Sequence, residues 1–374
     1  MKKIHLIAAA RPNFMKIAPL YHALAKEPWA ATSIVHTGQH YDLNMSDVFF
    51  QDLNLPSPHI HLNIGSGTHA EQTGRVMIAY EKVLLKQHPD LVIVVGDVNS
   101  TVACTLAAAK LGIQTAHLEA GLRSFDRTMP EEINRVLTDA IADFLWTPSP
   151  DADENLLKEG KDPAKITRVG NIMIDSLEMM RPRIKNEKTA ETFQLQKHNY
   201  CLVTLHRPSN VDEPEILAAI MEQLEIIGAR LPVLFPVHPR THKCLLQLEQ
   251  YDFLADTSKT SIWHPPHSNI IFTDPLAYVA FMNLVFNARM VITDSGGIQE
   301  ETTYLGIPCI TLRENTERPV TITHGTNSLC RPNLLTARFN EAIAKHTDSK
   351  TQIEMWDGQT AQRIVQHIQK TLKD

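Results

Sequence analysis

No apolar run in the 374 residues approaches the ~20 that a membrane-spanning helix needs; Leu91–Val95, among the longest, stops far short. The opening stretch carries two lysines and a short apolar segment. His5 interrupts it and Arg11-Pro12 ends it, the pattern of a first strand rather than a signal peptide. Dense basic blocks are missing too. With 36 Lys and Arg against 42 Asp and Glu, the net charge of −6 argues against a dedicated nucleic-acid binder. The five cysteines (Cys104, Cys201, Cys244, Cys309, Cys330) are odd in number, scattered and never spaced as CxxC. Neither a disulfide framework nor a zinc site is expected, and a reducing, cytoplasmic setting is. GxGxxG occurs nowhere, so a nicotinamide or flavin cofactor lacks its fingerprint. The 18 histidines raise the question of a metal. His238 and His242 are four apart, yet Pro239 stands between them and the glutamate of HExxH is lacking, while His264 and His267 flank two prolines. No metal ligand set follows.

What the chain does have is an almost unbroken alternation of strand-like and helix-like segments. On a prior of roughly 100–200 residues per domain its length suggests two domains, and 43% hydrophobic residues is too apolar for disorder. Lys3–Ala9 reads as a strand, followed by a helix around Lys16–Ala25 with Pro19 in its first turn, where a missing N–H is tolerated. Ser33–Thr37, Leu91–Val95 and Thr115–Leu118 are further strands, with Ala103–Leu111 a helix between the last two. After a charged stretch near Lys185–His198 a second series begins: Tyr200–Leu205, Val233–Val237, Met290–Thr293 and Ile307–Leu312. This alternation predicts an α/β protein of two Rossmann-like, doubly wound domains with a cleft between them. We place the hinge near Val169–Ile174, giving domains 1–170 and 171–359, with an amphipathic helix in 360–374 returning to the first.

Several strand ends carry chemistry. Asp294-Ser295-Gly296-Gly297-Ile298-Gln299-Glu300-Glu301 follows a strand and opens a helix. Its glycines let a diphosphate approach the backbone, and the helix N-terminus offers unpaired N–H groups. Glu301, a turn further on, suits two ribose hydroxyls; a plain capped turn with Ser295 as N-cap is the bland alternative. In the first half, Gly96-Asp97-Val98-Asn99-Ser100 ends one strand and Glu119-Ala120-Gly121-Leu122-Arg123 ends the next. A right-handed β-α-β crossover makes the two strands parallel, so Asp97 and Glu119 emerge at one carboxyl edge, where open α/β sheets bind ligands. Met129-Pro130-Glu131-Glu132 follows, equally readable as an ordinary helix start. Arg11 and Lys16 occupy the first loop on that edge, His206 in Leu205-His206-Arg207-Pro208 is a candidate catalytic acid/base or phosphate donor, and Arg318 lies in the charged loop Arg313–Pro319. Surface solvation or a satisfied structural histidine would be their plainer roles.

With these residues assembled, the chain resembles the non-hydrolysing UDP-N-acetylglucosamine 2-epimerases over nearly its full length. The shared elements are RPNFMKIAPL, VVGDVNST, HLEAGLRS, MPEEINR, VGNIMID, VHPR, DSGGIQEE, LRENTERP and DGQTAQRI, in that order. The resemblance implies the GT-B fold, a homodimer, a UDP-sugar substrate and no cofactor. It implies that Ser295, Gly296 and Gly297 hold the diphosphate with Arg11 and His206, that Glu301 binds ribose and that Phe281 sits at the uracil. Asp97, Glu119 and Glu131 match the family's catalytic acids, with Lys16, Arg135 and Arg318 as supporting charges. The implied reaction removes the C2 proton, expels UDP to give 2-acetamidoglucal, and adds UDP back after protonation from the other face. Two departures stand out: Ala10-Arg11-Pro12-Asn13 where many members read Thr-Arg-Pro-Glu, and Gln39-His40-Tyr41 where many bacterial members read Gln-His-Arg. Tyr41 implies weak or altered activation at the second UDP-N-acetylglucosamine site that the bacterial enzymes use. A hydrolysing epimerase, an epimerase for a UDP-diacetamido-uronic acid, a GT-B glycosyltransferase and a non-catalytic UDP-sugar-binding regulator are the competing readings.

Overall fold

A computed structural model describes residues 1–38, 50, 52–248, 251–252, 254, 262–265, 268–344 and 353–372, the Arg11 side chain excepted. The expectation for residues 39–41 therefore lies outside the described residues. Two compact units form: Met1–Met179 with Glu354–Asp374, and Met180–Ile353. The expected hinge Val169–Ile174 lies inside the first unit, because Ile172–Asn186 is one continuous helix that runs across the division.

The first unit contains strands β1 (Lys2–Ala8), β2 (Ala30–His36), β3 (Ile60–His61), β4 (Leu91–Val95), β5 (Gln114–Leu118), β6 (Phe144–Thr147) and β7 (Ile166–Arg168). Among the described residues they form one seven-stranded sheet in the order β3-β2-β1-β4-β5-β6-β7, with every pairing parallel. All of Leu91–Val95 is buried, as befits a central parallel strand covered on both faces. The order reverses between β1 and β4, so the loops leaving those strands lie side by side at the carboxyl edge. Asn13 ties them: its side-chain oxygen accepts from the Ala10 N–H at 3.0 Å, and its amide donates to the Val95 carbonyl at 3.1 Å.

The helix after β1 corrects one expectation. It runs Arg11–Leu24, so Pro12 occupies the first turn and Pro19 lies inside the helix. Pro19 cannot donate to the carbonyl four residues back, that of Met15. The Ser176 hydroxyl donates there instead, at 2.5 Å, which satisfies the oxygen that the proline leaves exposed. The C-terminal helix Thr360–Thr371 belongs to this unit and buries Ile364, Val365 and Ile368. Asp175 accepts from the N–H groups of Thr360 and Ala361 at its start, and Trp146 Nε1 donates to His367 Nδ1 at 3.2 Å.

The second unit holds β8 (Cys201–Thr204), β9 (Val233–Pro236), β10 (Ile262–Trp263), β11 (Ile270–Thr273), β12 (Met290–Thr293), β13 (Cys309–Thr311) and β14 (Asn327–Leu329). Their order is β10-β11-β9-β8-β12-β13-β14, parallel except for β10 against β11. The reversal falls between β8 and β12, which brings together the loops beginning at Leu205 and Asp294. One apolar cluster of this unit includes Cys201, Val203, Phe235, Phe272, Ile292 and Leu224. Among the described residues no helix is long and apolar enough to cross a membrane, and all five cysteines are free.

Candidate active site

At the first unit's carboxyl edge the acids are not left to face one another. Lys16 Nζ lies 2.6 Å from Glu119 Oε2, and both side chains are largely buried. Asp97 accepts from Arg135 Nε at 3.0 Å and Nη2 at 2.8 Å. Both bonds converge on one oxygen, Asp97 Oδ2, as charge-assisted contacts. Asp97 does not cap the following helix; Val98 holds that position and has no side chain to do so. Asn134 holds the Asp97 carbonyl at 2.9 Å, so the helix Pro130–Ile141 grips this turn twice, through Asn134 and Arg135.

Glu119 is the odd member. Its φ of 75° is left-handed, a region that non-glycine residues enter at a cost of about 1–3 kcal/mol. Its Oε1 is buried and has no hydrogen-bond partner among the described residues. A strained residue with one carboxylate oxygen committed and the other unclaimed is a common signature of a functional group. Gly96 leaves room for this pair: a Cβ there would stand 3.2 Å from Lys16 Nζ and 3.5 Å from Glu119 Oε2, at a φ of 69°.

The two acids of the Pro-Glu-Glu step differ in their surroundings. Glu132 is buried and structural, accepting from Ser124 N at 3.0 Å and Phe125 N at 2.9 Å, and pairing with Arg135. Glu131, in the same first turn, is half-buried. The Arg11 side chain lies outside the described residues, although its backbone opens the helix after β1.

In the second unit Asp294 is the hub. It is fully buried and accepts from the backbone N–H groups of His206 and Arg207, from Asn210, and from His206 Nδ1 at 2.8 Å. Burial works to raise this carboxyl, yet His206 and the two backbone amides hold it below its ordinary value. The His206 ring thus has Nδ1 engaged while its side chain stays 41% exposed, so it is neither a satisfied core histidine nor a free surface one.

Ser295 stands at the N-cap of the helix Gly296–Leu305 but makes no side-chain capping bond. A Cβ on Gly296 would come within 2.8 Å of Arg318 Nη1, whereas Gly297 has nothing within 4 Å. At the first glycine a side chain would have to displace the ends of Arg318 and Glu317; the second faces open space, as a ligand-approach position would. Arg318 is buried rather than solvated, with Nε 2.9 Å from Glu300 Oε1 and a further pair to Glu317. Glu301 is buried and accepts from Tyr278 Oη at 2.7 Å. Burial, with Glu300 alongside, pushes its carboxyl up to about 7 despite that hydrogen bond. Phe281 is half-buried one turn after Tyr278 on the helix Tyr278–Asn287, so one helix serves both Glu301 and Phe281.

The sequence did not single out Tyr278 or the Asp294 anchor. Spacing of three between Tyr278 and Phe281 is a usable signal for the first; nothing local signals the second.

Fold and site define a two-unit α/β protein of GT-B type, with ion-paired acids at one switch point and an anion-suited glycine turn at the other. A family model described as UDP-N-acetylglucosamine 2-epimerase matches residues 22–369. The UDP-N-acetylglucosamine 2-epimerase of Methanocaldococcus jannaschii is 46% identical over 340 residues, covering 88% of this chain and 89% of that protein. The UDP-2,3-diacetamido-2,3-dideoxy-D-glucuronate 2-epimerase of Pseudomonas aeruginosa is 37% identical over 377 residues, covering 98% and 99%. A crystal structure of the M. jannaschii enzyme in complex with UDP-GlcNAc and UDP superposes with a TM-score of 0.85 at 43% identity, covering 98% of this chain and 99% of that one. The class is therefore an isomerase. The chain belongs to the UDP-N-acetylglucosamine 2-epimerase family.

Proposed function

We propose that this enzyme interconverts UDP-N-acetylglucosamine and UDP-N-acetylmannosamine at C2 of the sugar, without net hydrolysis. The observation that carries the reading is the Glu119 carboxylate: strained backbone, Oε2 on Lys16 and a buried, unclaimed Oε1. One carboxylate among Asp97, Glu119 and Glu131 removes the C2 proton. The C1–O bond to the β-phosphate breaks, its electron pair leaves with UDP, and a C1=C2 double bond forms. Protonation of C2 from the opposite face and addition of a UDP oxygen to C1 reverse the step, so no water is consumed. Lys16 aims Glu119, and Arg135 aims Asp97. Ser295, Gly296 and Gly297, with Arg11 and His206, take up the charge that grows on the departing diphosphate. Glu301 accepts the ribose hydroxyls, Phe281 lies against the uracil, and Arg318 stiffens the glycine turn from beneath.

The reading extends to a homodimer. Ile133, Val136 and Leu137 share one face of the helix Pro130–Ile141 and are exposed, with Phe125 beside its start, an apolar patch that a second copy would cover.

The test is proton NMR of the protein with UDP-GlcNAc in heavy water. UDP-ManNAc in equilibrium with substrate, both deuterated at C2, is the expected result. Free N-acetylmannosamine with UDP would replace this reading by the hydrolysing one. Turnover only of a UDP-diacetamido-uronic acid would move the substrate to that of the P. aeruginosa relative. Unlabelled, unchanged sugar nucleotides would sink the acid–base mechanism.

A further inference from the structure

His117 lies on β5, two residues before Glu119 and wholly buried. Its Nδ1 is 2.6 Å from Asp139 Oδ1, and its Nε2 is 2.8 Å from the carbonyl oxygen of Gly96. A backbone carbonyl can only accept. Asp139 is engaged as a carboxylate: its Oδ2 accepts from the Gly121 N–H at 3.0 Å and pairs with Arg123 at 2.7 Å. A neutral imidazole has one N–H and would aim a lone pair at one of these oxygens.

The two partners of His117, and the Gly121 that Asp139 holds, belong to the three segments that carry the acids. Gly96 immediately precedes Asp97. Gly121 closes the turn that holds Glu119 at positive φ. Asp139 sits on the helix that bears Glu131 and the Asp97 partner Arg135.

We propose that His117 is a doubly protonated positioning residue whose two N–H groups, through Gly96 and Asp139, lock the turns of Asp97 and Glu119 to the helix of Glu131 and Arg135. It touches no substrate. Its effect is to hold the acids in register, where a misplacement of ~1 Å can cost about 10²-fold in rate. The inference rests on the epimerase reading for its kinetic part and on geometry alone for its charge state.

Neutron diffraction from deuterium-exchanged wild-type crystals at neutral pH is expected to find a deuteron on both ring nitrogens of His117. A single deuteron overturns the assignment, whatever the activity. In the kinetic arm, His117→Gln is expected to lower kcat about 10²-fold while KM and UDP affinity hold. The His117→Gln/Asp139→Asn double variant should be no slower than the slower single one, because both substitutions break one unit. An unchanged kcat per folded molecule, with only the melting temperature reduced, overturns the positioning role. If the variants do not fold, the neutron result decides. Wild-type enzyme that leaves C2 unexchanged would instead defeat the epimerase reading, a failure separate from either of these.

Discussion

Glu301 is a carboxyl whose charge the fold opposes. Burial raises it from an ordinary value of 4.5 to about 7, so between those values the folded chain keeps a proton that the unfolded chain has released. Stability is therefore lost as pH climbs through that window, by up to ~3 kcal/mol once Glu301 is ionised in both states. Glu301→Gln removes the loss. Thermal melts should show the variant more stable than wild type at mildly alkaline pH and equal to it near the bottom of the window. Equal melting temperatures at alkaline pH would refute the buried-charge account. UDP affinity should move the other way: titration calorimetry is expected to find wild-type binding tightening as pH rises through about 7, and the variant weak and flat. Glu119 presents the same opposition in the backbone. Glu119→Gly relieves the positive φ but leaves the buried Lys16 without its carboxylate, so stability should fall by ~1–3 kcal/mol while turnover is abolished. Glu119→Gln, with the backbone unchanged, should cost about 10²–10⁴-fold in rate and leave UDP binding intact, as initial rates and calorimetry would tell.

Among the elements, the helix Arg11–Leu24 offers a test of how a proline is tolerated in its interior. Ser176→Ala leaves the Met15 carbonyl buried without a donor and should cost ~1–2 kcal/mol in denaturant unfolding. In a Pro19→Ala background, where the backbone N–H can return to that carbonyl, the cost of Ser176→Ala should shrink; an undiminished cost would exclude the compensation. The sequence put Pro19 in the first turn because apolar periodicity starts late there, whereas Pro12 and the Asn13 side chain begin the helix earlier. Central strands were legible to the residue: Leu91–Val95 and Met290–Thr293 are continuous apolar runs because both faces are covered. Ile60–His61, Ile166–Arg168 and Asn327–Leu329 were not. Two or three residues carry no period, and only the neighbouring strand makes them β. The site divides in the same way. The β-α-β rule placed Asp97 and Glu119 on one edge from sequence alone. The bond from Asp294 to His206 spans 88 positions and leaves no local trace.

For the whole molecule, the apolar face of the helix Pro130–Ile141 sets the expected assembly. Leu137→Asp should convert a dimer to a monomer by sedimentation velocity, since Leu137 is 49% exposed and its charge would lie in the interface. A wild type that sediments as a monomer at micromolar concentration would remove the dimer from the proposal. Chain order has a further consequence. The first unit is closed by Thr360–Thr371, which reaches it only after all of Met180–Ile353 has been made. During synthesis the second unit therefore leaves the ribosome complete while the first still waits for its last helix, with the surface for Ile364, Val365 and Ile368 uncovered. Of the two halves, the one made first is finished last, and a chaperone that meets this nascent chain meets it there.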